Sequence, residues 1–212
     1  MIDVQNLTFQ YPRSLKPVLS GFNARFERGE IVAVSGKNGC GKTTLTKLLV
    51  GILQPSEGVI RIDEQDTSGL NLFAIGRRVG YVFQNPGRQL FNDTVFNEAS
   101  YGLSNMDMEP DELKDRTERC LNYFGLLGYR DIYPGKLSYG ERQRLAIASV
   151  IVLGTNYLVL DEPTTGLDKR RQGDLGVLLQ RLSGEMNCGI VFVSHDDGFI
   201  RRFASREVVM EL

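Results

Sequence analysis

Eight consecutive residues, Gly36-Lys37-Asn38-Gly39-Cys40-Gly41-Lys42-Thr43, fit the spacing G-x-x-x-x-G-K-[ST], the pattern of a loop that holds a phosphate chain. Glycines let the backbone N–H groups of such a loop curl around an anion, and the positive end of the following helix adds to the attraction. Lys42 would bridge the outer phosphates, and Thr43 would hold Mg²⁺. A second group, Tyr157-Leu158-Val159-Leu160-Asp161-Glu162, runs through four apolar residues into two carboxylates. That places both acids at the C-terminal edge of a buried strand, where ligands bind in open α/β sheets. Asp161 would fix the Mg²⁺ shell, leaving Glu162 to polarise a water for in-line attack on a γ-phosphate.

Both groups need a scaffold, and the chain supplies one. Ile31-Val32-Ala33-Val34 is a short continuous apolar run of the kind buried on both faces of a sheet, so the glycine loop follows a central parallel strand. Beyond the loop, Leu45, Leu48, Leu49 and Ile52 recur at helical spacing up to the stop at Gln54-Pro55-Ser56-Glu57-Gly58. Near-alternating apolar residues over Ile2 to Phe9 and Phe22 to Phe26 predict an opening pair of antiparallel strands. Further strands are expected at Val59 to Ile62, Val79 to Phe83, Tyr157 to Leu160, Ile190 to Val193 and Val208 to Met210. Helical segments lie between the later strands, which implies a mainly parallel α/β sheet. Between about Asn85 and Leu153 no strong strand is expected; Leu113, Thr117, Cys120, Leu121 and Phe124 mark one face of an amphipathic helix.

Composition narrows the function classes. The chain has 212 residues, 42% hydrophobic and 24% charged, the profile of a folded globular domain. A net charge of −1 offers none of the long-range attraction used by proteins that coat nucleic acids. Cys40, Cys120 and Cys188 are too few and too scattered for a disulfide scaffold, and Cys40 reads as a small inert filler of its loop. No apolar run reaches the roughly 18 to 20 residues that span a bilayer, and Met1-Ile2-Asp3-Val4 does not open an export signal. Business with a membrane is therefore expected to pass through a partner. The chain stops two residues after its last expected strand, as a short protein or one domain of a longer polypeptide would.

The segment Leu137-Ser138-Tyr139-Gly140-Glu141-Arg142-Gln143, shortly before the Tyr157 strand, looks like the signature of the ATP-binding cassette ATPases, which the chain resembles over essentially its whole length. The resemblance implies the P-loop NTPase cassette fold, α/β, with a mainly parallel sheet, an N-terminal antiparallel β subdomain and an inserted helical subdomain. It implies one domain over 1–212: a nucleotide-binding core at 1–84 and 154–212, and a helical subdomain at about 85–153 carrying the signature. Tyr11 takes the position of the aromatic that stacks on adenine. ATP would be bound by Tyr11, the loop from Gly36 to Thr43, Thr44, Ser138, Gly140, Glu141 and Asp168. Mg²⁺ would be held by Thr43, Gln84 and Asp161, and the catalytic set would be Glu162, His195, Gln84 and Lys42. His195, the sole histidine, stands in Ser194-His195-Asp196 as the γ-phosphate switch. Ser138 can cap the following helix, making a second phosphate-binding surface. By resemblance that surface faces the nucleotide of another subunit in a head-to-tail dimer, with Asp168 tying the two sites together. Tyr139 stands where many relatives have a second glycine, where a side chain could restrict close approach of the partner's nucleotide; the closed site is expected to survive because Ser138 and Gly140 remain.

Gln84-Asn85-Pro86-Gly87-Arg88-Gln89-Leu90-Phe91, followed by Thr94-Val95-Phe96-Asn97-Glu98 and Tyr101-Gly102, is similar to a segment of energy-coupling-factor ATPases that drive vitamin and cobalt or nickel uptake. This implies a second ATPase subunit, the same chain or a paralogue, a transmembrane coupling protein and a substrate-capture membrane protein. It also implies a peripheral place on the cytoplasmic face of the membrane. Alternatives are another transporter class, a soluble cassette ATPase acting on nucleic acid or the ribosome, and a non-hydrolysing scaffold. The absence of a long heptad-patterned insertion and of a tandem cassette argues against nucleic acid and ribosome. Glu162 and His195 argue against the scaffold.

Overall fold

The computed structural model describes residues 1–210. In chain order its first elements are β1 (Ile2–Phe9), β2 (Leu19–Phe26), β3 (Ile31–Gly36), α1 (Lys42–Leu49), β4 (Glu57–Ile62), β5 (Gln65–Asp66), α2 (Leu72–Gly76) and β6 (Val79–Val82). Three helices follow, α3 (Val95–Ser100), α4 (Pro110–Tyr123) and α5 (Tyr139–Ile151). The chain then runs through β7 (Tyr157–Asp161), α6 (Lys169–Met186), β8 (Gly189–Val193), α7 (Asp197–Phe203) and β9 (Arg206–Met210). It divides into two compact units, Met1–Tyr81 with the chain from Asn156 onward, and Val82–Thr155.

The first unit holds two sheets, an antiparallel one in the order β2-β1-β4-β5 and a five-stranded one in the order β6-β7-β8-β3-β9. The pairs β7–β8, β8–β3 and β3–β9 run parallel, with Asp161 opposite Val193 and Val193 opposite Val34. Burial follows the sequence pattern. Every residue of β7 and β8 is buried, as are Ile31 to Val34 of β3, because strands covered on both faces must be apolar throughout. In β2 only the end residues Leu19 and Phe26 are buried, as in a strand with one wet face. Leu45, Leu48 and Leu49 of α1 join Val32, Val34, Val159 and Val191 in the core.

Two local expectations differ. The first helix stops at Leu49, short of Ile52, because Gly51 takes a left-handed φ of 74° there; a Cβ on it would lie 2.4 Å from Ile75 Cδ1, and Ile52 is left exposed. The two-residue strand β5 is too short to carry a periodicity signal.

The second unit has no strand from Phe83 to Thr155. Its helices α3, α4 and α5 pack on one another, burying Val95, Ala99, Thr117, Leu121, Leu145 and Ala148. Helix α5 opens with a capping box: Ser138 Oγ accepts from the Glu141 N–H at 3.4 Å, and the Glu141 carboxylate accepts from the Ser138 N–H at 2.7 Å. Two of the N–H groups left over at a helix start are thereby satisfied locally.

Candidate active site

The glycine loop leaves the end of β3 and enters α1 through two backbone positions that only glycine tolerates. Gly36 has φ 141°, and a Cβ there would sit 2.4 Å from the Met210 carbonyl oxygen; Gly41 has φ 99° and backs onto Val18. As N-cap of α1, Gly41 offers no side-chain acceptor to the first-turn N–H groups, which leaves them for an anion. Lys42 is buried, and its ammonium donates to the Gly36 carbonyl at 2.9 Å and the Lys37 carbonyl at 3.0 Å, with Cys40 Sγ at 3.9 Å. The loop therefore carries a positive charge at its centre, held by oxygens that a phosphate oxygen can replace. Cys40 is 2% exposed beneath the loop, as a filler would be.

At the end of β7 the Asp161 carboxylate accepts from the Thr43 hydroxyl at 3.2 Å and from the Tyr81 hydroxyl at 3.4 Å. Burial raises the Asp161 carboxyl above its ordinary range, against those two hydrogen bonds and the charges of Lys47 and Lys42. Thr43 and Asp161 are hard oxygen donors side by side, the donor type Mg²⁺ takes. Among the described residues no group of three His, Cys, Asp or Glu side chains encloses a metal. A site of two protein oxygens fits an ion that keeps waters and phosphate oxygens in its shell.

Glu162 adopts φ 48°, a left-handed conformation costly for a non-glycine residue. Its N–H is held by the Val193 carbonyl at 3.1 Å, and its Oε1 lies 3.1 Å from His195 Nε2. Burial raises the Glu162 carboxyl, assisted by the charge of Asp161 and opposed by His195 and Lys42. A raised carboxylate is a stronger proton acceptor.

Tyr11, Asn38, Gly39, Gly41, Lys42, Thr43, Thr44, Glu162 and His195 line a single cleft of about 340 Å³, together with Val18. The Tyr11 hydroxyl lies 3.1 Å from Thr44 Oγ1, and its ring packs edge-on against Phe9 at 4.9 Å. Asp161 joins this group through Thr43; Gly36 and Lys37 hold the Lys42 ammonium from below. Asp168 is not a cleft residue and caps α6, accepting from the Arg171 N–H at 2.9 Å. Sequence reading passed over Val18, Thr46 and Tyr81. Tyr81 was legible only as one polar tip in an apolar strand, a partly buried hydroxyl that favours a partner.

The second unit carries Gln84, Ser138, Gly140 and Glu141. Ser138 and Gln84 are exposed, and a Cβ added at Gly140 would meet open space. The Tyr139 ring is half-buried, and its hydroxyl donates to the Gln84 carbonyl at 3.3 Å, so this side chain is tied back within its own unit.

The chain is similar to known proteins over nearly its whole length. Residues 19–165 match the ABC transporter family. The chain is 41% identical over 212 residues to the energy-coupling factor transporter ATP-binding protein EcfA of Methanothermobacter thermautotrophicus, covering 99% of this chain and 68% of that one. The structure of cbiO1 from Clostridium perfringens, part of the ABC transporter complex cbiONQ, superposes with a TM-score of 0.92 at 33% identity, covering 99% of this chain and 84% of that one. The dimeric post-hydrolysis structure of the ATP-binding cassette MJ0796, bound to ADP and Pi, gives 0.85 at 26% identity, covering 100% and 94%. Relatives differ in length: the chain spans 80% of one from Pyrococcus furiosus and 36% of each of two from Vibrio vulnificus. Among the described residues no helix is long and apolar enough to cross a membrane. With the family matched over most of its length and the phosphate loop and strand-end carboxylates meeting in one cleft, the chain belongs to the ABC transporter family, as its ATP-binding ATPase cassette.

Proposed function

We propose that the chain hydrolyses ATP at the cleft around Lys42 and Glu162 to power a membrane importer of the energy-coupling-factor type. The observation that carries the reading is the meeting of Lys42, Thr43, Glu162 and His195 in one cleft, with the Glu162 carboxylate 3.1 Å from the imidazole. Tyr11 would stack on the adenine, and the loop N–H groups with Lys42 would hold the phosphates. Thr43 and Asp161 would hold Mg²⁺, which when bound neutralises charge on the phosphate oxygens. Glu162 takes a proton from water as the water oxygen attacks the γ-phosphorus, and the bond to the β-phosphate oxygen breaks to release ADP and phosphate. His195 orients Glu162 and can donate to the γ-phosphate. Gln84 and Asp168 are assigned on the family pattern alone.

The reading extends to a head-to-tail dimer of cassettes, the same chain twice or a paralogue, in which Ser138, Gly140 and Glu141 approach the partner's nucleotide. The dimeric structure of MJ0796 supports it. Similarity to EcfA and cbiO1 supports a peripheral place on the cytoplasmic face of a membrane, beside a transmembrane coupling protein and a substrate-capture protein for a vitamin, cobalt or nickel. Fractionation of cells expressing the tagged chain tests this. Recovery with membrane proteins whose presence stimulates its ATPase is expected; recovery with ribosomes or DNA would overturn the transport reading.

A further inference from the structure

Four side chains on three elements close a ring of hydrogen bonds beneath the cleft. The Thr43 hydroxyl donates to Asp161 Oδ1 at 3.2 Å, the Tyr81 hydroxyl donates to Asp161 Oδ2 at 3.4 Å, Thr46 Oγ1 lies 3.5 Å from the Tyr81 hydroxyl, and Thr46 Oγ1 donates to the Thr43 carbonyl at 2.9 Å. Each hydroxyl has one hydrogen to give, and an ionised carboxylate can only accept. Tyr81 must therefore give its hydrogen to Asp161, while Thr46 shares its own between the Thr43 carbonyl and the Tyr81 oxygen.

We infer that Tyr81 is a positioning residue for the Asp161 carboxylate, fixing its second oxygen so that the first stays beside Thr43, and that it thereby sets the affinity of the site for Mg²⁺ with nucleotide. The inference rests on the reading of Asp161 as part of the Mg²⁺ site. Asp161 is 7% exposed, Thr46 fully buried and Tyr81 partly buried, so the carboxylate has little access to solvent that could replace the phenol. Without it, Oδ2 would lose this donor in a buried setting, and the carboxylate would be freer to turn about its last torsion. Outer-shell partners of metal-binding carboxylates act in this way on ligand orientation.

The test is the Mg²⁺ dependence of binding of a non-hydrolysable ATP analogue, with the analogue's dissociation constant in EDTA and the melting temperature measured alongside. Tyr81→Phe keeps the ring and should raise the Mg²⁺ midpoint about tenfold, the lower end for such outer-shell changes, while the EDTA value stays put. Thr46→Val, which removes a further contact of the phenol, should move the midpoint the same way by less, and it carries the test if the tyrosine variant folds poorly. In an Asp161→Asn background Tyr81→Phe should add nothing. A wild-type midpoint in Tyr81→Phe alongside a shifted one in Asp161→Asn, or shifts that add in the double variant, would overturn the inference and leave the Mg²⁺ site standing. An unshifted Asp161→Asn would overturn the assignment of Asp161 and the inference with it.

Discussion

On the proposed reading the cleft of the first unit and the start of α5 in the second unit both meet phosphate, yet they are finished to different degrees. In and beside the cleft each charged group already has an answering group: Lys42 the carbonyls of its own loop, and, on other segments, Asp161 the Thr43 and Tyr81 hydroxyls and Glu162 the His195 imidazole. At the start of α5 Ser138 and Glu141 answer each other, Glu141 also meets the Tyr129 hydroxyl, and the serine stays exposed. A concave site that pre-orients its charges can bind by itself. On the proposed reading the capped helix end on an open surface is half of a site, and its ligand would come with the other half.

Variants can break or sharpen that contrast. The largest expected effect is in the cleft: Glu162→Gln should cut ATP turnover by about 10² to 10⁴, the usual worth of a positioned general base, while ATP binding and ATP-driven dimerisation persist. Full turnover in steady-state assays would remove Glu162 from the chemistry. Lys42→Ala takes away a charge-assisted contact worth about 1.5 to 3 kcal/mol, so equilibrium binding should show the ATP dissociation constant rising about tenfold to a hundredfold; an unchanged constant would deny the loop its role. Ser138→Ala should cost about 1 kcal/mol of cap stability and leave single-chain ATP binding alone, yet weaken ATP-driven association in sedimentation experiments. If association is untouched, α5 is not the second half of a site.

The smallest effect is a control inside the first unit but outside the cleft. Asp63 accepts from Arg28 at 2.6 Å, Tyr157 at 2.8 Å and the Met1 ammonium at 3.0 Å. Burial works to raise its carboxyl, but those bonds outweigh burial and hold it well below the usual carboxylate range. A carboxyl depressed in the folded state stabilises fully above its unfolded value of about 3.9 and loses that contribution as pH falls toward the folded value. Asp63→Asn should therefore lower the melting temperature at pH 7, by a margin that narrows below about pH 4, with ATP affinity unchanged. A constant margin would mean that the ionised form carries none of the stability.

What could be seen in advance was whatever lies contiguous in the chain. The glycine loop and the Asp161-Glu162 pair declare themselves because their spacing along the backbone is their spacing in the site, and Ser138 with Glu141 three residues on is a helix start by its own arithmetic. The reach of Tyr81 to Asp161, 80 residues apart, and of Tyr139 to the Gln84 carbonyl, 55 apart, depends on strand neighbours and side-chain rotamers that no local pattern encodes. Ile52 misled for a related reason: its spacing suits the helix, but the left-handed Gly51 overrides periodicity.

One lattice sets the distances between the reacting groups. Val34, Val193 and Asp161 pair across three adjacent strands, so β7 and β8 end on one rung and β3 runs two residues past it to Gly36, the strands spaced by the inter-strand repeat of about 4.8 Å. Inserting a single residue into β3, β7 or β8 would advance its loop by about 3.3 Å and turn the bordering side chain to the opposite face. The enzyme's tolerance to insertion should thus drop from loop to strand as abruptly as a key loses its lock when one tooth is recut.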